Sequence, residues 1–191
     1  MRTRSRLAAL LLALASAFAL SAESYGEPVA ETGGFSVSTT SFAATDKPVS
    51  ARFAFDKSGC GGMNVSPDIA WTHAPLATKS YAITLFDPDA RAGRGWWHWL
   101  VFDIPASVTH IGEAAAVPGG AVESVTDFGT TGYKGPCPPA GQGAHRYVAT
   151  VYALDIASLP ADRNSPPKDV NHLILAHALA RASFTFLYAR E

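Results

Sequence analysis

Three long runs restrict the fold of this chain more than any other feature: SYAITLF (80–86), WLVFDI (99–104) and HRYVATVYAL (145–154). Each is rich in β-branched and aromatic residues and is bounded by Pro, Gly or Asp, the usual punctuation of a strand. Two shorter segments, GFSVSTTSF (34–42) and ARFAF (51–55), carry alternating aromatics and are read as strands too. The 13 prolines and 16 glycines suit many sharp connections between strands. Only KDVNHLILAHALARA (168–182) argues for a helix. There Val170, Leu173, Ile174, His177 and Ala178 recur at spacings of three and four, just after Pro166 and Pro167. The closing SFTFLYARE alternates Phe184, Phe186 and Tyr188, which predicts a last strand. The expected fold is mainly β with a late helix. A chain of 191 residues, 48% apolar and 16% charged, buries a substantial core in one domain, here residues 35–191.

The first residues form a separate unit. MRTRSR is a basic cap on the apolar run LAALLLALASAFAL, and small residues follow in ALSAES. That order is the signature of a secretory signal peptide, residues 1–21, with cleavage expected after Ser21 or Ala22. The apolar run is shorter than the roughly 20 residues a membrane span needs. Residues 22–34 are small and polar without a period and read as a flexible tether. The expected location is periplasmic or secreted, with membrane contact at most peripheral. Losing Arg2, Arg4 and Arg6 shifts the balance from 15 basic against 16 acidic residues to 12 against 16. A mildly acidic body without a basic run is a poor nucleic-acid binder, because phosphate neutralisation needs clustered Lys and Arg. The two cysteines, Cys60 in SGCGGMN and Cys137 in GPCPP, each lie in a Gly/Pro loop. An oxidising compartment permits them to pair; two unrelated buried thiols are the alternative.

Three stretches carry chemistry. DPDA places Asp87 and Asp89 in the connection beyond the first long strand, with Pro88 fixing the backbone between them. A turn with two self-capping aspartates is the plainer reading. In WWHWLVF, strand alternation sends Trp97 and Trp99 to one face and Trp96 and His98 to the other. His98 is then either a pocket residue or a hydrogen-bonded histidine of the sheet. GYKGPCPPAGQGAHRY joins a Gly/Pro loop to a strand that opens with His145 and Tyr147 on one face and Arg146 on the other. Prolines supply rigid apolar walls, and glycines let a ligand approach the main chain. If the three long strands share a sheet, Asp87, His98 and His145 converge at one edge in an aromatic setting.

DPDA, GWWHW followed by IP, GPCPPAGQGAHRY and the earlier NVSPDIAW together resemble the phosphatidylethanolamine-binding protein family, in particular its bacterial Raf kinase inhibitor-like members. The resemblance implies a large antiparallel sheet packed on a smaller one with a C-terminal helix. It also implies a small pocket for phosphate-type anions such as phospholipid head groups or phosphorylated residues. Carried onto this chain, the pocket residues are Asp87, Trp96, His98, Gly135, Cys137, Pro138, Pro139, His145 and Tyr147. Asp89 is expected to pair with Arg146 and brace the loops. Arg91 stands where the family commonly has proline, and is read either as a rim cation suited to phosphate or as a solvated loop arginine.

The expected function is non-catalytic: both histidines donate to an anion, main-chain N–H groups near Gly135 add donors, and Asp87 orients one imidazole. No cofactor is called for. The expected partners are a small anionic ligand and, in addition, a protein modulated by it, with the chain a monomer or homodimer. Three alternatives stand beside this reading. One is a metal-dependent hydrolase using His98, His145 and Asp87. A second is nucleophilic catalysis by Cys137 with His145. The third is a protease or protein inhibitor that acts through its surface.

Overall fold

The computed structural model describes residues 34–43 and 48–191; the expected signal peptide and the expected tether up to residue 33 lie outside them. Its strands are β1 (Ser36–Ser38), β2 (Ile69–Thr72), β3 (Ser80–Asp87), β4 (Trp96–Pro105), β5 (His110–Ile111), β6 (Val122–Glu123), β7 (His145–Leu154) and β8 (Ala178–Tyr188), with helix α1 (Pro167–His177) before the last. A five-stranded sheet runs in the order β6-β4-β3-β7-β8 and a three-stranded one in the order β1-β2-β5. Every pairing within them is antiparallel. The architecture is mainly β, a larger sheet packed on a smaller one with a C-terminal helix.

The larger sheet is covered on both faces, which explains why β3 lacks a polar side. Tyr81, Ile83, Leu85, Trp99 and Val101 pack toward Ile69, Trp71 and Ile111 of the smaller sheet. Ala82, Leu100, Phe102 and Leu154 face Val170 and Ile174 of α1. Every β3 residue except Phe86 is buried, the near-continuous apolar run expected of a strand with two covered faces. Burying Val170 and Ile174, both fully enclosed, is worth roughly 2 kcal/mol each and docks the helix. Pro167 opens α1 at the first turn, where its missing N–H costs no hydrogen bond.

Register decides where the site forms. Asp87 pairs with Trp96 and Phe86 with Val148, so the end of β3 and the starts of β4 and β7 meet at one end of the sheet. Leu85 pairs with Trp99 and Phe86 with Trp97, which leaves His98 as the extra residue of a β-bulge. The bulge breaks the predicted alternation. Trp99 packs between the sheets while Trp97 packs on the helix side, so the two do not share a face.

Two further expectations are corrected. ARFAF is no strand: Ala51–Phe53 is a 3-10 turn capped by the Ser50 side chain, and Phe55 donates its N–H to the Pro136 carbonyl. Its phenylalanines are buried by a loop rather than by a ladder. The helix stops at His177, not Ala182, because Ala180, Arg181 and Ala182 pair with Ala153, Tyr152 and Val151 of β7. Tertiary pairing overrides the helical preference of ALARA.

Candidate functional site

At the end of the large sheet Asp87, His98 and His145 line one recess of about 290 Å³. All three are nearly closed off from solvent, at 2%, 3% and 7% exposure. The Asp87 carboxylate accepts main-chain N–H groups of Asp89 (2.9 Å) and Ala90 (3.0 Å) on one oxygen, and His145 Nδ1–H (2.9 Å) on the other. The turn and the histidine orientation thus come from a single side chain. His98 Nδ1 donates to the Lys134 carbonyl at 2.7 Å. Both rings therefore carry their neutral-state proton on Nδ1 and keep Nε2, which has no hydrogen-bond partner among the described residues.

Burial pushes His98 below its ordinary pKa, against the pull of the Lys134 and Gly135 carbonyls and the charges of Asp87 and Asp127. Near neutrality its Nε2 is an acceptor. The expectation that His98 donates to an anion then requires either proton uptake by the ring or a ligand oxygen that brings its own proton. Tyr147, fully buried, packs edge-on against His98 with centroids 5.2 Å apart. Burial, aided by the Asp87 charge, raises its phenol, which stays an O–H. That hydroxyl meets no partner with hydrogen-bond geometry among the described residues.

The walls are apolar and held rigidly. Trp96, Phe128, Pro138 and Pro139 line the recess, and the Phe128 ring lies edge-on to both Trp96 (5.6 Å) and His98 (5.2 Å). A disulfide joins Cys60 to Cys137, with Cα atoms 5.6 Å apart, and ties the 55–60 loop to the proline wall. Cys137 therefore offers no thiolate beside His145. Arg190 reinforces the tie, reaching the Gly59 carbonyl at 2.8 Å and the Pro138 carbonyl at 3.3 Å. Asp89 and Arg146 form a two-pronged ion pair at 2.6 and 3.0 Å. The Arg146 guanidinium holds the Asp89 carboxyl well down, to about 2. Arg91 stacks its guanidinium 4.7 Å from the Trp96 ring centroid and borders the recess.

A sequence profile of the phosphatidylethanolamine-binding protein family matches residues 41–189. The chain belongs to the phosphatidylethanolamine-binding protein family. Among its bacterial relatives, the Escherichia coli protein YbcL is 38% identical over 165 residues, spanning 83% of this chain and 90% of YbcL. The crystal structure of YbcL, described as a new member of the mammalian PEBP family, matches with a TM-score of 0.78 over 85% of this chain and all of that one. Escherichia coli YbhB is 41% identical over 143 residues, 72% of this chain and 90% of its own length. A Chlamydia trachomatis homolog matches with a TM-score of 0.69 at 25% identity, over 82% of this chain and 98% of that one. The architecture is the binding-protein fold of that family.

Within this family fold, Gly135 departs from its expected part. Its N–H is engaged by the Asn64 side-chain carbonyl at 2.8 Å, and it is not among the recess-lining residues. A Cβ there would overlap the Phe53 carbonyl, so glycine is required by a crossing of two main-chain segments and not by a ligand. Tyr147 backs His98 rather than lining the recess. Sequence reasoning missed three residues. Phe128 lies in a TDFGT loop with no strand signal, and Ser58 and Ala90 complete the lining. Asn64, seen only as part of the NVSPDIAW motif, clamps both the Tyr133 carbonyl and the Gly135 N–H. Among the described residues no three His, Cys, Asp or Glu side chains are placed to hold a metal ion. Both Asp87 oxygens are already hydrogen-bonded.

Proposed function

We propose that this family member is an exported, non-catalytic binding protein whose recess holds a small phosphate-type group, either a phospholipid head group or a phosphorylated ligand. One observation carries the reading: two imidazoles, each fixed through Nδ1, share an apolar recess with their Nε2 atoms unpartnered among the described residues. At about 290 Å³ the recess suits a head-group phosphate and not a whole lipid. A singly protonated phosphate ester fits the hydrogen-bonding pattern, since its P–OH donates to a neutral Nε2 while its other oxygens accept from a protonated ring. Asp87 fixes the His145 ring by direct contact. Affinity is then highest at mildly acidic pH and falls as pH rises through the histidine range. A protein partner, if recruited, would sense occupancy through the Pro138 and Arg91 rim.

The test is calorimetry with phosphoethanolamine and inorganic phosphate on wild type, His98→Ala and His145→Ala. Losing one charge-assisted hydrogen bond should weaken binding by about 1.5–3 kcal/mol, tenfold or more. Wild-type protein that binds neither ligand, or variants that bind both as well as wild type, would overturn the assignment. Export is tested separately by expressing the whole chain in a Gram-negative host and sequencing the recovered N-terminus. The expected result is a mature start at Ala22 or Glu23 in the periplasm or medium; full-length protein retained in the cytoplasm would refute export.

A further inference from the structure

We propose a second ligand site on the opposite, helix-bearing face of the large sheet, built for a small anion that carries a flat apolar group. A cleft of about 590 Å³, larger than the histidine recess, opens between α1 and the loop that follows Asp89. Its floor is aromatic: Phe86 and Trp97 meet with ring centroids 4.3 Å apart. Trp97 is there because the bulge at His98 turns it away from Trp99. Gly95 lets the Phe86 ring lie in that floor, since a Cβ at that position would overlap it. Leu175, 38% exposed on α1, extends the apolar surface.

The rim is cationic. Arg94 comes from the loop and Lys168 from the first turn of α1, with His172 one helical turn further along. Neither Arg94, Lys168 nor the neighbouring Arg91 forms an ion pair among the described residues. The one acid in the lining, Asp127, is turned to the main chain, where its carboxylate accepts the Trp97 N–H at 2.8 Å. Free cations gathered beside an aromatic floor, in a chain of net charge −1, select ligands of opposite charge. The volume is that of an ordinary small-molecule pocket. A ring on Phe86 and Trp97 and an anionic group between Arg94 and Lys168 use both features together. Arg91 borders both cavities, so it is left out of the test.

An NMR titration of isotope-labelled protein with naphthalenesulfonate, whose charge does not titrate, tests the site. The indole N–H of Trp97 and the amide of Gly95 are expected to shift saturably. Neutral naphthol should bind roughly tenfold more weakly, and Arg94→Glu with Lys168→Glu, which turns both attractions into repulsions, should weaken the sulfonate by about the square of that factor. Shifts centred on His98 and Phe128, equal binding of naphthol, or no saturable binding would overturn the proposal. The sulfonate–naphthol comparison uses wild-type protein, so the test does not depend on the charge-reversed variant folding.

Discussion

Opening the Cys60–Cys137 disulfide is a perturbation whose cost follows from the chain itself. The bond joins residues 77 positions apart. Freeing a loop of that length returns about 15 cal/mol/K to the unfolded chain, or about 4.5 kcal/mol at room temperature. The Cα separation of 5.6 Å is an ordinary one for a disulfide, so no backbone movement offsets the gain. Against a total stability of about 5–15 kcal/mol the loss is about 30% or more. For a domain of this size it lowers Tm by roughly 9–18 °C. Urea unfolding followed by tryptophan fluorescence, with and without reductant and repeated on Cys60→Ser/Cys137→Ser, measures it directly. Ligand affinity should suffer less than stability, because Arg190 still ties Gly59 to Pro138. Reduced and oxidised proteins that unfold within about 1 kcal/mol of each other would refute the reasoning, since the closed loop would then not limit the unfolded chain.

Two further outcomes are expected of the unliganded protein. His98 has a folded pKa below its ordinary 6.5, so the native state binds fewer protons than the unfolded one. Its contribution to stability is complete above that value and declines as pH falls below it, by up to ~1.4 kcal/mol per pH unit; urea midpoints should drop on mild acidification and do so less in His98→Gln, while parallel profiles would count against the assignment. Gly135→Ala should destabilise by about 3 kcal/mol or more, because the new methyl overlaps main chain that cannot swing aside. A wild-type urea midpoint for that variant would show that the 53–55 and 135 segments do not cross as closely as described.

The parts of the fold that sequence conveys are those where one local rule acts alone. The strands β3, β4 and β7 are legible as apolar β-rich runs, and the start of α1 is marked by Pro166 and Pro167. What escapes is set by distant partners. The end of α1 is invisible because Ala178 to Ala182 favour helix in isolation and become strand only by pairing with β7. The faces of Trp97 and Trp99 depend on a bulge that leaves no mark in composition. In the site, Asp87, His98 and His145 stand out as polar groups at strand ends, and a disulfide joins the two cysteines. Phe128 has no such signal, since it arrives on an irregular loop. Gly135 shows the limit of reading a glycine: close approach is correctly implied, but what approaches is the backbone of Phe53 and Ala54, not a ligand.

The measurement that bears most directly on the central claim is the proton count of binding: calorimetric titration of phosphoethanolamine across the histidine pH range, in two buffers of different ionisation enthalpy. We predict proton uptake on binding and an affinity that falls by up to about tenfold per pH unit as conditions become alkaline. Binding that takes up no proton and stays level across that range would contradict the claim.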